Sequence, residues 1–426
     1  DYADVIGGWT LSDNAILTYG VNQGVFIPLE DYFEKYCPNI SAILDLPGVR
    51  EKMTAPDGHI YTIPYVCGDT TVGYSPYINT KWLENVGMSM PTTTDEFEAV
   101  LKAFKEQDAN GNGDASDEIP FSTDPNNKHI EAMAGYFGLP MNKLGIAIQD
   151  EKVVYGGVSN TYREFLSWFH KLYADGLVDV ELYTQDSSTW EGKGNQDLYG
   201  VSIAYGSNEF TGIPAAEERG DFDSMPVLNT DKGGIWLRDT EGFSVYRTQA
   251  VITNKAEHPE IICRWFDNAF ALENGIGCNR GPVGVIVNKE DDGYHAIDTT
   301  TLSEEDQEKY SWGNLWPQSL PKYLPADFEF VEEHPMYDEK KATEEAYEAN
   351  LTKEIIPSYW IDLDKIDTFS DTNTAIKDFF EQQQAQFVCG ELDIDNDADW
   401  QAYVDGMYSL GLEDWVATQG IEEIAK

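Results

Sequence analysis

At 426 residues the chain exceeds what one hydrophobic core ordinarily organises, so two domains are the first expectation. Hydrophobic residues at 41% and aromatics at 13% are ample for folding, so the formal charge of −48 marks an acidic globular surface and excludes a disordered polyanion. That charge (76 Asp and Glu against 28 Lys and Arg) repels phosphate backbones, which argues against nucleic acid as a partner and favours a neutral ligand.

In chain order, residues 3–9 read as a short buried strand turning at Gly7-Gly8. Ile27-Pro28-Leu29 leads into a helix over 31–36, and residues 53–65 read as a hairpin turning at Pro56-Asp57-Gly58. Residues 72–79 alternate like a strand. After Pro91, a Thr cap and the acidic turn Asp95-Glu96 start a helix whose Phe97, Val100, Leu101 and Phe104 fall on one face. The same spacing recurs over 162–173, and Ile261, Ile262, Trp265, Phe266 and Phe270 predict a helix over 257–272. Alternating strands and helices define the α/β class. Residues 66–74, 242–253 and 312–324 are the candidates to carry the chain between domains, in three crossings.

No stretch of about 18 apolar residues occurs, so no membrane-spanning helix is expected. The opening at Asp1 reads as the lead-in to a strand, as if a segment with a signal and an anchor preceded it. Five cysteines without CxxC spacing point to buried free thiols, with at most one bridge, Cys263 to Cys278.

Residues 108–118 carry the sharpest chemistry. Asp108, Asn110 and Asn112 place oxygens at positions 1, 3 and 5 of a loop, Gly113 allows the bend at 6, and Asp114 offers a carbonyl at 7. Position 12 is Ile119, where an EF-hand has Glu, so Asp117 and Glu118 must close the site. The expectation is one structural calcium ion, against the plainer reading of a solvated turn. Residues 393–399 alternate acids too, but Ala398 stands at position 6 and Val404 at 12, so that run reads as a helix-capping loop.

Nothing supports catalysis. The six histidines are scattered, and no phosphate loop, dinucleotide loop or nucleophile elbow is present. A glycosidase needs only two carboxylates, so a secreted carbohydrate-active enzyme stays as the alternative. Trp9, Tyr65, Tyr205, Trp236, Trp312, Trp316 and Trp360 lie in or beside turns, where aromatic planes can stack on the C–H faces of sugar rings. Trp9 after Gly7-Gly8, and Trp236 two residues before Arg238, are the foremost candidates.

Three blocks resemble the family 1 extracellular solute-binding proteins of ABC importers. They are residues 1–9, with Ala3 where Pro is usual; Ile63-Pro64-Tyr65 with 77–87 and 91–97; and 385–391 with Asp399-Trp400 and Leu410-Gly411-Leu412. The loop 108–118 is similar to one in alginate-binding members, with an extra residue that leaves Asp114 and Ser116 as alternatives. The resemblance implies a periplasmic-binding-protein-like type II fold, two α/β lobes joined by hinge strands with a ligand cleft. Lobe 1 would be 1–68 plus 248–315, its first strand and helix missing, and lobe 2 would be 69–247 plus 316–426. It places Trp9, Ser12 and Asp13 on the first lobe's cleft edge, Cys67 to Thr70 with Asp69 at the hinge, and Tyr205 and Asn208 on a cleft loop of the second. The implied function is capture of a carbohydrate by a monomeric, lipid-anchored extracellular protein that delivers it to a membrane permease, without enzymatic turnover. A binding protein for another solute such as a peptide, and a calcium-stabilised adhesion module, are the further alternatives.

Overall fold

The computed structural model describes residues 2–8, 11–68, 71–125, 130–212, 221–240, 243–310, 320–331 and 335–425. Trp9, Asp69, Trp312 and Trp316 lie outside the described residues. The chain forms two compact units. Asp1–Asp69, Thr240–His334 and Ser358–Ser370 build the first, and Thr70–Asp239, Pro335–Pro357 and Asp371–Lys426 build the second. The chain therefore passes between units five times, against the three crossings expected, and 240–247, 316–334 and 358–370 belong to the first unit. The fifth passage falls inside the helix Ile366–Cys389, where no break in periodicity marks it.

In the first unit, a four-stranded sheet runs in the order Val5–Gly7, Phe243–Ile252, Thr62–Gly68, Lys322–Tyr323. The first three strands pair antiparallel and the last is parallel. Thr62–Gly68 is buried nearly throughout, so it reads as an unbroken apolar run without alternation. The helices Glu30–Tyr36, Pro38–Leu44, Val49–Met53 and Pro259–Asp267 deliver Phe33, Ile40, Val49 and Phe266 to a core shared with Ile63, Val66 and Ile252.

Two expectations need correction here. The turn at 56–58 forms, with Gly58 N donating to Ala55 O at 2.9 Å, but residues 53–56 make no strand. Thr62–Gly68 pairs with the distant Phe243–Ile252 instead. The helix expected over 257–272 stops at Asp267, and after a 3-10 turn Ala271 is extended (ψ 139°) before a second helix, Leu272–Arg280. Within the first of these helices Ile261 and Trp265 are each 56% exposed, and Cys263 and Phe266 hold the buried face.

The second unit is built on the strands Ile119–Thr123, Tyr199–Ala204, Ser75–Asn79 and Phe222–Ser224, in that order. The helix Thr94–Glu106 begins as anticipated, with the Thr93 hydroxyl accepting from Glu96 N at 3.2 Å. Phe97, Val100, Leu101 and Phe104 are all buried. Phe104 meets Trp82 edge-on at 5.3 Å and lies so close to the strand Tyr199–Ala204 that a Cβ on Gly200 would sit 2.4 Å from its ring. Replacing that Phe by Ala costs about 3–5 kcal/mol.

None of the five cysteines forms a disulfide, and Cys263 shares a hydrogen bond with Cys37, not with Cys278. Among the described residues no helix is long and apolar enough to cross a membrane.

Candidate functional site

The loop 108–118 joins the helix Thr94–Glu106 to the strand Ile119–Thr123, so both ends are pinned by buried elements. Inside it, polar side chains fold the backbone around themselves. Gly113 N donates to Asp108 Oδ2 (2.9 Å), Asn112 N to Asn110 Oδ1 (2.9 Å) and Asp114 N to Asn112 Oδ1 (2.8 Å). The amides of Asn110 and Asn112 both donate to the Asp117 carboxylate, at 3.2 and 2.7 Å. Gly111 and Gly113 take positive φ (75° and 94°), which side chains resist.

Two carboxylate oxygens in this loop, Asp108 Oδ1 and Glu118 Oε2, are buried and have no hydrogen-bond partner. Burial pushes the Glu118 carboxyl up, against the opposing bond from Ala109 N at 2.9 Å. Buried anionic oxygens without donors are costly, and a hard cation removes that cost. The donor set fits calcium. Asp114 is different, because its carboxylate is turned outward to Ser116 N and Oγ.

A second cluster in the same unit surrounds Tyr205. Its amide donates to Glu209 Oε2 (2.9 Å), and its carbonyl accepts from Lys340 Nζ (2.7 Å) and the Tyr77 hydroxyl (3.1 Å). The ring stands edge-on to Tyr74 at 6.1 Å, with the Lys340 ammonium 4.2 Å from its centre. Burial pushes the Glu209 carboxyl up, and the nearby Asp124 charge adds to it. Asn208 opens the short helix Asn208–Thr211, and its Oδ1 is buried without a partner, as is Glu339 Oε1.

In the first unit, Asp13 and Arg247 form a bidentate pair at 2.7 and 2.6 Å. Arg247 is 5% exposed, and its guanidinium also reaches Tyr359 O (3.0 Å) and lies 4.0 Å from the centre of the half-buried Trp360 ring. Trp360 Nε1 donates to Lys52 O at 3.2 Å. Ser12 caps the helix Asp13–Ile16, accepting from Ala15 N at 3.2 Å. The structure thus joins two anticipated residues, Asp13 and Trp360, through a buried arginine that sequence reasoning missed, and Ser12 stands beside Asp13 as the cap of its helix.

Three anticipated residues are corrected. Trp236 is 2% exposed, packed between Tyr136 (5.8 Å) and Tyr347 (5.6 Å), so it has no ring face to offer a ligand. Arg238 is a strand fastener, with Nε on Thr352 O (3.1 Å) and an ion pair to Glu348 (3.0 Å). Tyr65 belongs to the core, stacked on Tyr246 at 5.4 Å with its hydroxyl on Asn279 Oδ1 (3.0 Å). Lys322 lies over that ring at 4.5 Å, and burial brings its ammonium down to about 8.

Elsewhere, a shallow groove beside the helix Asn160–Ala174 contains none of the anticipated residues. On the hairpin Val287–Glu290 with Gly293–Ala296, ligand-type atoms of Glu290, Asp292 and His295 lie within 4.8 Å, with His295 Nε2 2.9 Å from Asp292 Oδ1. Arg247, Lys340 and Tyr74 had no sequence signal beyond residue type, because each gains its role from segments far along the chain, whereas Glu209 acts locally on Tyr205, four residues before it.

No protein-family model matches the chain. It is 34% identical over 295 residues, 67% of its length, to the fructooligosaccharide ABC transporter substrate-binding protein FusA of Streptococcus pneumoniae serotype 4, and covers 54% of that protein. It is 30% identical over 218 residues, 49% of its length, to lipoprotein LipO of Bacillus subtilis, covering 40% of it. The chain therefore spans about half the length of the curated relatives it matches. In structure it is similar to an EF-hand mutant of S. pneumoniae FusA in complex with fructo-nystose, with a TM-score of 0.82 at 25% identity over 98% of this chain and 87% of that one.

Proposed function

We propose that this chain, which belongs to the substrate-binding proteins of ABC transporters, captures an oligosaccharide outside the cell and hands it intact to a membrane permease. The observation that carries the reading is the 34% identity over 295 residues to a fructooligosaccharide-binding relative. The side chains are of the right kind for a neutral sugar. Asp13 and Arg247 supply charged hydrogen-bonding groups in one unit, and Tyr205, Asn208 and Glu209 supply an aromatic plane and acceptors in the other. A sugar that binds one conformation of the chain more tightly than another shifts the population toward it by that differential affinity. The partners are the sugar and the permease, the chain acts as a monomer, and a lipid anchor holds it at the cell surface, a reading supported by its similarity to lipoprotein LipO.

Asp108, Asn110, Asn112, Asp117 and Glu118 would hold one calcium ion, with Asp114 giving at most its carbonyl. The ion would neutralise the two unpartnered oxygens and fix the loop, a structural task. Its support is the donor set here and the EF-hand of the FusA relative.

A thermal-shift screen with fructans, glucans and acidic oligosaccharides tests the capture reading. A fructan-type sugar is expected to raise the melting temperature, and Trp360→Ala to abolish the shift with a modest stability loss. Trp236→Ala is expected to do the reverse, costing about 3–5 kcal/mol of stability while the folded remainder still responds to sugar. No response across the whole screen contradicts the reading.

A further inference from the structure

We infer that Lys340 is a positioning residue for ligand recognition in the second unit, fixing the Tyr205 peptide and ring from behind; the inference rests on the solute-binding reading above. Lys340 lies on the helix Pro335–Tyr347 and is 4% exposed. Its ammonium donates to the carbonyls of Gly73 and Tyr205 and sits against the Tyr205 ring. Glu209 holds the other side of the same residue through its amide, so both ends of Tyr205 are anchored by charged groups. The segment before Gly73 is tied down as well, with Gly73 N on Asp239 Oδ2 (2.5 Å) and Thr71 N on Glu344 Oε1 (2.5 Å).

A buried lysine is an expensive way to fill space, and an apolar residue of similar length would pack as well. No apolar side chain, however, can grip two carbonyls from separate segments and face an aromatic ring. The choice of lysine is therefore explained by what it orients.

Burial lowers the Lys340 ammonium to about 8, opposed by the carboxylates of Asp239, Glu344, Glu209 and Glu339 that face it, with Tyr205 and Tyr74 alongside. Between that value and the ordinary 10.5, the folded chain binds this proton less than the unfolded chain does. Rising pH there increases this residue's contribution to stability while the grip on the carbonyls loses its charge. A packing role moves stability alone; a positioning role also weakens sugar binding, so affinity and stability part company.

The test uses the calcium-loaded full chain, with fructo-nystose as probe. Wild type is expected to lose affinity about tenfold from pH 7 to 9.5, and Lys340→Met to bind about tenfold more weakly at pH 7 with no further alkaline loss. Lys340→Arg keeps its charge and is expected to show no alkaline loss. Hydrogen exchange of peptides 71–74 and 205–209, measured at pH 7 without sugar, is expected to accelerate in Lys340→Met. If wild type binds no sugar at any pH, the solute-binding reading falls, while the exchange comparison still tests the clamp. If Lys340→Met does not fold, wild type against Lys340→Arg decides. Equal alkaline loss in those two, or wild-type affinity and exchange in Lys340→Met, overturns the inference.

Discussion

Two acid-rich loops of the second unit, 108–118 and 393–399, have similar compositions and opposite fates. In 393–399 the protein itself partners the acids. Asp393 N donates to Asp399 Oδ2 (3.1 Å), Ser167 Oγ to Asp395 Oδ1 (3.1 Å) and Arg163 to Asp397 Oδ1 (2.8 Å). Asn396 caps the helix Asp397–Ser409, as its spacing in sequence implied. In 108–118 the loop closes on itself, yet two carboxylate oxygens stay buried and unpartnered. Acid spacing alone does not distinguish a cap from a cation site. What separates them is whether the burial of an anionic oxygen is compensated inside the chain.

Calcium removal is the strongest way to break this comparison. Chelation is expected to lower stability by about 2.7 kcal/mol relative to calcium at a hundredfold excess over its Kd. Asp108→Ala is expected to remove both the calcium isotherm and the response to chelator. At the second loop, Asp397→Asn loses only its pair with Arg163, an exposed contact worth about 1 kcal/mol or less, and calcium titrates as in wild type. A calcium response that follows Asp397 in place of Asp108 would invert the assignment.

The smallest effect sharpens the same contrast at Glu30, a carboxylate with ordinary protein partners in His59 Nδ1 (2.5 Å) and Ile60 N (3.1 Å). Burial pushes Glu30 up, but these bonds bring it below its usual value, and the bond to Glu30 raises His59. The Glu30 contribution is present above its unfolded value of 4.5 and fades as pH falls. The His59 contribution is complete below its unfolded value of 6.5 and is lost as pH rises through the raised value. The pair therefore helps most between those limits, and Glu30→Gln is expected to return the His59 titration toward 6.5 by NMR, with calcium binding unchanged.

Local physics made much of this legible. The face of Thr94–Glu106, the Asn396 cap and the loop chemistry of 108–118 depend on neighbours a few residues away, so spacing reveals them. Burial of an aromatic ring does not. Trp236 and Trp360 both sit beside turns, yet Tyr347 covers one and Arg247 lies over the half-buried other. Arg247 reaches Asp13, and Lys340 reaches Gly73, across more than half the chain. Only the completed fold brings such pairs together, so the central cations of both clusters went unread.

The most direct measurement is equilibrium titration of the calcium-loaded chain with fructo-nystose, followed by mass analysis of the recovered sugar. Saturable one-to-one binding with the saccharide returned unaltered is the expected result. Shortened saccharides or free monosaccharide after incubation would contradict a protein that captures its solute and leaves every glycosidic bond in place.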